Sequence, residues 1–202
     1  MTQTIQSHSV DRLPAVGVRV SSWRKAVFEM DESHPEVLRM TNAAEGFLRR
    51  AINNDRSRGS WFVIAGRTGC GKTHVAKATL RQFAAWGCSA GAAGKWGNLR
   101  WDFVDWPSML ADRNFEDRLE ELMDINFLCL DDIGSESDQF RGGENTGRLR
   151  RVLELFSKRW LLVTTNIPRD KWGDFYDVRV ASRLEAAGKV SVFSAPDWRK
   201  KE

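Results

Sequence analysis

Residues 61–65 read WFVIA and residues 66–73 read GRTGCGKT. The first five residues form an apolar run of the length that a buried strand needs. The next eight match the pattern G-x-x-x-x-G-K-S/T at every fixed position. Residues 73–86 then show the spacing of an amphipathic helix, with one apolar face formed by Ala76, Leu80, Phe83 and Ala84. The stretch therefore predicts a strand, a glycine-rich turn and a helix in direct succession.

The glycine-rich turn has the composition of a phosphate-binding loop. Its glycines allow backbone N–H groups to turn inward around phosphates, and the next helix directs its positive end there. In such a loop the Lys72 ammonium contacts the β- and γ-phosphates, and the Thr73 hydroxyl is a ligand of Mg²⁺. The predicted nucleotide-binding residues are Gly66, Arg67, Thr68, Gly69, Cys70, Gly71, Lys72, Thr73 and His74. The pattern does not separate ATP from GTP, and the alternative is a glycine-rich turn that arose by chance.

For three of these residues the pattern predicts a position in or beside the loop but no specific side-chain role. Arg67 and Cys70 occupy variable positions of the pattern, so neither receives a side-chain role. His74 begins the helix, where a surface position is the simpler interpretation.

A second polar site follows the apolar run at residues 127–130, which ends in Asp131 and Asp132. The carboxyl end of a parallel strand lies at the edge of the sheet where ligands bind. Asp131 is therefore predicted to hold the Mg²⁺ shell, and Asp132 to orient or deprotonate an attacking water. The alternative is a pair of turn or helix-capping acids.

Apolar strand segments alternate with helical segments along the chain, which indicates a parallel sheet covered on both faces. The predicted strands are 61–65, 101–104, 127–130, 161–165 and 190–193. The predicted helices are 35–51, 73–86, one or two within 108–123, 144–159, and 177–187 with Gly188 as its cap. The predicted organisation is an amino-terminal arm at 1–40, a core domain at 41–195 and a basic tail at 196–202.

Composition excludes several classes of protein. No stretch approaches the roughly 20 apolar residues of a membrane helix, and the first residues lack the features of a secretory signal. The cysteines Cys70, Cys88 and Cys129 have no metal-binding spacing, so we expect reduced thiols in a cytoplasmic protein. The net charge of +4 favours an anionic partner only weakly.

Four motifs occur in order: GRTGCGKT at 66–73, FLCLDDIG at 127–134, LLVTTNIP at 161–168 and DVRVASRL at 177–184. In this order the chain resembles the AAA+ ATPases, specifically the group of DnaC/DnaI-type helicase loaders and IstB-like transposition helper ATPases. The resemblance covers residues 47–193. It implies an α/β P-loop NTPase fold, a three-layer sandwich with a five-stranded parallel sheet and no carboxyl-terminal lid domain.

The resemblance also implies residue roles. Asn166 corresponds to the sensor asparagine that faces the γ-phosphate and the attacking water. Arg183 corresponds to the arginine finger that enters the neighbouring subunit's nucleotide site, with Arg179 as the second candidate. The alternatives are a turn residue at Asn166 and a surface arginine at Arg183. Asp132 stands where the wider family has a glutamate, which implies slow, switch-like hydrolysis.

By this resemblance the cofactors are ATP and Mg²⁺, and the partners are a replicative helicase, single-stranded DNA and further copies of the chain. Two cation–tryptophan pairs, Lys95–Trp96 and Arg100–Trp101, have the composition of single-strand binders. A basic run at residues 148–159 is a weaker DNA candidate. The open alternatives are a transposition helper, a small-molecule P-loop kinase and a module that binds ATP without hydrolysing it.

Overall fold

A computed structural model describes residues 34–87, 99–135 and 143–197. Several predictions lie outside the described residues: most of the amino-terminal arm, Cys88, the Lys95–Trp96 pair and the basic tail from residue 198. The division of the chain at residues 40 and 195 stays a prediction.

Within the described residues, five parallel strands form one sheet in the order β2-β3-β4-β1-β5. The strands are β1 (Trp61–Ala65), β2 (Trp101–Asp105), β3 (Phe127–Ile133), β4 (Trp160–Thr165) and β5 (Gly188–Ser191). The central strands β1 and β4 are buried along their whole length, which explains the apolar run of β1 and the apolar run Trp160–Val163 that begins β4. The predicted five-stranded parallel sheet is confirmed.

Helices cover both faces of this sheet. The helices α1 (Pro35–Asn53) and α2 (Lys72–Gly87) pack on one face, where Phe62, Ile64 and Leu162 point. The opposite face, with Val63 and Val163, is covered mainly by α3 (Trp106–Ala111), α4 (Phe115–Glu121), α5 (Glu144–Leu155), α6 (Trp172–Phe175) and α7 (Val178–Ala186). Two 3₁₀ turns, Leu122–Asp124 and Arg169–Lys171, precede β3 and α6. Alternate residues of each strand thus enter two separate cores, and the predicted three-layer arrangement is confirmed.

Two predicted helix ends are wrong. Gly188 does not cap a helix: α7 ends at Ala186, Ala187 is extended, and Gly188 is the first residue of β5, paired with Phe62. A capping glycine needs a positive φ, and Gly188 is not among the residues that have one. The last strand is therefore Gly188–Ser191 rather than 190–193.

The helix α5 ends at Leu155, four residues before the predicted end. The Phe156 side chain is fully buried, and its carbonyl accepts a hydrogen bond of 2.7 Å from the Trp61 indole nitrogen. The chain turns at this point to enter β4, so the helical pattern cannot continue to residue 159.

In the described part of the chain, no helix has both the length and the apolar character needed to span a membrane.

Candidate nucleotide site

The phosphate loop connects β1 to α2 and is fixed at the edge of the sheet. The Gly66 N–H donates a 3.0 Å hydrogen bond to the carbonyl oxygen of Thr165 in β4. Gly69 has φ +83°, and a Cβ built on it would lie 1.8 Å from Oδ1 of Asp197. Only glycine satisfies both conditions, because other residues are strained at this φ and would collide with the segment that follows β5. Arg67 and Thr68 are exposed on the outside of the loop.

Lys72 is the first residue of α2, and only 6% of its surface is exposed. Its ammonium Nζ donates hydrogen bonds of 2.6 Å to Oδ1 of Asn166 and 3.0 Å to the Arg67 carbonyl oxygen. A buried ammonium needs such acceptors because water has been removed from it. The charge is therefore held at the centre of the site, with Asn166 as its side-chain partner.

Asp131, near the end of β3, is the most buried carboxylate of the site, with 4% exposed. Its two oxygens accept hydrogen bonds from the Thr73 hydroxyl at 2.8 Å and the Thr164 hydroxyl at 2.6 Å. Burial raises the pKa of Asp131 above its ordinary value, although both hydroxyls act in the opposite direction. A nearby cation would stabilise the ionised form of such a carboxylate and so offset the cost of its burial.

Asp132 points into the same site through a local irregularity of β3. The register against β4 shifts between Leu130 and Ile133, and Asp132 has φ +63°. Consecutive side chains of a regular strand point to opposite faces, whereas a bulge with a left-handed residue redirects one of them. Oδ1 of Asp132 thereby accepts a 2.6 Å hydrogen bond from Nδ2 of Asn166.

Asn166 therefore joins the two charged groups, since its amide oxygen accepts from Lys72 and its amide nitrogen donates to Asp132. We call the set Lys72, Thr73, Asp131, Asp132, Thr164 and Asn166 the nucleotide edge. These residues belong to three different parts of the sequence, and they meet because β1, β4 and β3 are adjacent and parallel.

The donor set of the nucleotide edge fits a nucleotide with Mg²⁺. One hydroxyl and one carboxylate, Thr73 and Asp131, are hard oxygen ligands of the kind that Mg²⁺ uses beside waters and phosphates. In the described residues, no cluster of three histidine, cysteine or acidic side chains could hold a metal by itself. Lys72 and the loop N–H groups supply the charge and donors that phosphates require.

Two other predicted nucleotide-binding residues lie at the margin of this site. Cys70 is completely buried, and desolvation raises the pKa of its thiol, so it packs in the core as a neutral group. His74 is exposed at the start of α2.

The two arginine-finger candidates lie away from the nucleotide edge, on α7. Arg183 is 3.4 Å from Oε1 of Glu154 and lines a cavity of about 290 Å³ with Gly59 and Ser60, beside the amino end of β1. Arg179 is exposed and lines a cleft of about 480 Å³ between α5 and α7. Neither arginine belongs to the phosphate-loop edge of its own chain.

The basic run on α5 is largely engaged within the protein. Arg151 forms two 2.6 Å hydrogen bonds with Glu116, and Arg148 pairs with Glu144. Arg159, which follows α5, donates to backbone carbonyls in and just after the 3₁₀ turn Leu122–Asp124, including that of Leu122 at 3.3 Å. We call the charged group around α5, whose side chains are exposed or half-buried, the arginine surface; its members are Arg148, Arg150, Arg151, Arg179, Glu116, Glu144 and Glu154. Its charges nearly cancel, which argues against this surface as a DNA track.

Of the two cation–tryptophan pairs predicted to contact DNA, the structure describes Arg100–Trp101. The Arg100 guanidinium is 2.7 Å from Oδ2 of Asp124, and both side chains are largely exposed. An exposed ion pair of this kind contributes little to stability. Arg100 can therefore leave Asp124 at little cost in free energy and contact another anion.

Sequence reasoning missed the two threonines that precede Asn166. Thr164 orients Asp131, and its oxygen also accepts a 2.9 Å hydrogen bond from the Asp132 N–H. Thr165 is fully buried and bonds to three different groups, including the Ile133 carbonyl oxygen. The sequence contains a pattern that could have identified them: two hydroxyl residues follow the apolar run of β4, at the end of the strand where ligands bind.

The comparisons agree with this geometry. The IstB-like ATP binding protein family matches residues 55–184, more than half of the chain. No curated protein matches the sequence. The fold is similar to that of DnaI, with a TM-score of 0.68 and 16% identity over 91% of this chain and 95% of the other.

Two further structures show the same fold. The DnaC helicase loader has a TM-score of 0.59 and 20% identity, over 85% of this chain and 98% of that one. The replication initiator DnaA, bound to AMPPCP and single-stranded DNA, has a TM-score of 0.54 and 19% identity. That match covers 74% of this chain and 45% of DnaA, so the chain spans less than half of DnaA's length. The family match across the phosphate loop, the acidic strand end and the Asn166 strand places the chain in the IstB-like ATP-binding family of AAA+ proteins.

Proposed function

We propose that the protein is a Mg²⁺-dependent ATPase that binds single-stranded DNA and helps to place a replicative helicase on DNA. The observation that carries the hydrolytic part is the bonded series Lys72–Asn166–Asp132, with contacts of 2.6 Å at both joints. It connects the phosphate-loop cation to a carboxylate that can accept a proton. A site that only held phosphate would not need this carboxylate.

The chain's own residues divide the work of hydrolysis. Mg²⁺, when bound by Thr73 and Asp131, would neutralise charge on the phosphates. Asn166 would hold Asp132 in position through their direct hydrogen bond and face the γ-phosphate and the attacking water, and Asp132 would accept the proton of that water. Aspartate has a shorter reach than the glutamate of the wider family, and we infer that turnover is slow and serves as a switch.

We also propose that the nucleotide site is completed by a second copy of the chain. The arginines of α7, Arg183 first and Arg179 second, would reach the γ-phosphate of the neighbour, because neither lies at its own site. Arg183 would have to leave Glu154, and a 3.4 Å pair with half-exposed partners costs little to break.

Mixing variants tests this arrangement. Lys72→Ala subunits retain both arginines, and Arg183→Ala subunits retain an intact nucleotide edge. If the arginine acts in trans, the mixture hydrolyses ATP faster than the sum of the rates of the two variants measured separately. If the mixture shows only the sum of the two rates, Arg183 does not act on a neighbour, and Arg179→Ala should then be mixed in the same way.

The DNA and helicase parts of the proposal rest on the fold. Structures of DnaI and of the DnaC helicase loader match most of this chain and nearly all of their own length. We place single-stranded DNA at residues 95–101 and propose residues 1–40 as the extension that binds the helicase. The basic residues at 196–202 are a second candidate contact.

The test is fluorescence anisotropy of a labelled single-stranded oligonucleotide, titrated with protein in ATP–Mg²⁺ and again in ADP–Mg²⁺. We expect tighter binding in ATP–Mg²⁺, loss of this preference in Lys72→Ala, and weaker, less salt-sensitive binding in a Lys95/Trp96/Arg100 triple alanine variant. Arg49→Ala/Arg151→Ala is the matched control, since it removes the same charge from exposed sites elsewhere. Absence of binding in both nucleotides would contradict the DNA role.

A transposition helper is the second candidate, and the IstB-like family match favours it. Such a protein would direct a transposase to duplex target DNA, whereas a helicase loader acts where strands have separated. Repeating the anisotropy titration with a duplex of the same sequence separates the two. A clear preference for the duplex would favour the transposition role.

A further inference from the structure

The hydroxyl of Thr165 is the centre of a saturated hydrogen-bond cluster directly beside Asn166. It donates to the Ile133 carbonyl oxygen at 2.8 Å and accepts from the Ile167 N–H at 3.1 Å. The Tyr176 hydroxyl lies 3.1 Å away. Since the only proton of Thr165 goes to Ile133, Tyr176 must be the donor in that contact. The bond to Ile167 closes a turn around Asn166, so this cluster fixes the backbone that presents the Asn166 side chain.

The approach of Tyr176 to this cluster depends on Gly134. Gly134 has φ +84°, and a Cβ built on it would lie 2.6 Å from the tyrosine hydroxyl and 2.6 Å from Ile167. The tyrosine itself is 7% exposed. A tightly enclosed hydroxyl with a defined acceptor is well suited to holding its neighbours in one position.

Tyr176 also stands at the start of α7. The next residue, Asp177, caps that helix by accepting a 2.8 Å hydrogen bond from the Val180 N–H. The short helix α6, which precedes Tyr176, is also bonded to the segment that follows β4, because the Trp172 indole N–H donates to the Ile167 carbonyl oxygen at 3.0 Å. One short segment thus joins the backbone around Asn166 to the helix that carries Arg179 and Arg183.

We propose that Tyr176 is a positioning residue that couples the nucleotide edge to α7. Its hydroxyl holds the Thr165 cluster, which sets Asn166 against Lys72 and Asp132. A change at Asn166 with the bound nucleotide is passed through the same hydroxyl to the start of α7. The proposal rests on the role in hydrolysis that is proposed above for Asn166.

The kinetic test uses Tyr176→Phe, which removes one oxygen and retains the ring packed against Phe175. Loss of a single neutral hydrogen bond corresponds to a change of about twofold to tenfold. We expect kcat to fall by about that factor, with KM for ATP unchanged within about twofold. Thr165→Val should give an equal or larger loss, because it removes the bonds to Ile133 and Ile167 as well as the one to Tyr176. The double variant should lose no more than Thr165→Val alone, because the bond removed by Tyr176→Phe is already absent there.

A purely structural role would give a different pattern. Thr41→Val is the matched control: it removes another buried hydroxyl, which bonds to backbone within α1. It should lower Tm without a selective change in kcat. Equal kcat in Tyr176→Phe and wild type, or losses that multiply in the double variant, would overturn the proposal.

A second readout does not depend on turnover. Tyr176 is the single tyrosine of the chain, so labelling with 3-fluorotyrosine gives one ¹⁹F resonance. We expect its chemical shift to differ between ADP–Mg²⁺ and AMPPNP–Mg²⁺, and this difference to disappear in Thr165→Val. A resonance that is identical with both nucleotides, under saturation confirmed by calorimetry, would overturn the coupling.

The two measurements also separate the two proposals. If wild type does not hydrolyse ATP but the resonance still distinguishes the nucleotides, hydrolysis fails and the coupling stands. If wild type hydrolyses ATP and the resonance does not distinguish them, the coupling fails and the ATPase stands.

Discussion

The nucleotide edge and the arginine surface both bring charged side chains together, but they do so in different ways. At the edge, buried or half-buried groups from three separate segments bond to one another, as Lys72, Asn166 and Asp132 do. On the arginine surface, exposed or half-buried side chains form separate ion pairs, as Arg151 does with Glu116. Each edge contact depends on the order of the strands, whereas each surface contact depends mainly on two flexible side chains. Function should therefore be sensitive to changes at the edge and tolerant of changes on the surface.

Lys72→Ala should produce the largest effect. The substitution removes the only side-chain cation of the phosphate loop that is buried in the site, and it leaves Asn166 without its donor. We expect the Kd for ATP–Mg²⁺, measured by titration calorimetry, to rise by at least about 100-fold, the factor for about 2.7 kcal/mol.

The matched control is Arg151→Ala, which removes one cation from the arginine surface and should leave this Kd within about twofold. Equal affinities in the Lys72 variant and wild type would place the nucleotide elsewhere.

Asp131→Asn should produce the next effect, on the Mg²⁺ dependence of binding. In wild type, removal of Mg²⁺ with EDTA should weaken ATP binding, because the phosphates then lose the metal ion that Asp131 and Thr73 hold beside them. Partners of metal ligands typically contribute about 10-fold to 100-fold in metal affinity, and a direct ligand should contribute at least as much. We expect the Mg²⁺ affinity, from titration of the ATP complex, to fall by about 10-fold or more in Asp131→Asn.

Asp174→Asn changes an exposed carboxylate on α6 and serves as the control. A Mg²⁺ affinity equal to wild type in the Asp131 variant would remove Asp131 from the metal shell.

Glu116→Gln should produce the smallest effect. The hydrogen bonds from Arg151 hold the pKa of Glu116 below its ordinary value of 4.5. The contribution of this pair to stability is therefore present above pH 4.5 and is lost as the pH falls through the lowered pKa. We expect a small decrease of Tm at pH 7 that shrinks below pH 4.5 and in high salt.

A thermal scan series in pH and salt checks this expectation. A large decrease of Tm, or one that grows in acid, would show that the arginine surface stabilises the protein more than its exposure suggests.

The same contrast explains what the sequence could predict. The strands β1, β3 and β4 each begin with a continuous run of apolar residues, so their positions and their parallel arrangement follow from the pattern. The bulge at Asp132 and the position of Tyr176 do not follow from it, because both arise from packing between β3, β4 and α6. The end of α7 was misplaced for a related reason: a glycine after a helix resembles a cap until its pairing in β5 is known.

The nucleotide-edge residues could be located at strand ends, but their mutual contacts could not. Nothing in the order of the motifs specifies that Asn166 bonds to Lys72 and Asp132 together, since this depends on the strand order β3-β4-β1. The sequence also does not predict which carboxylate each surface arginine contacts, because an exposed long side chain can pair with any of several nearby carboxylates at similar free energy.

The central claim is that the nucleotide edge hydrolyses ATP and that Asp132 is its proton acceptor. The most direct test is the rate of phosphate release at saturating ATP–Mg²⁺ in wild type and in Asp132→Asn, with ATP affinity measured on the same samples. A positioned base contributes about 10²-fold to 10⁴-fold, so the account predicts slow turnover in wild type, a loss of at least about 100-fold in the variant, and little change in affinity. Equal rates in the two proteins would contradict the account and leave a module that binds ATP without using this carboxylate.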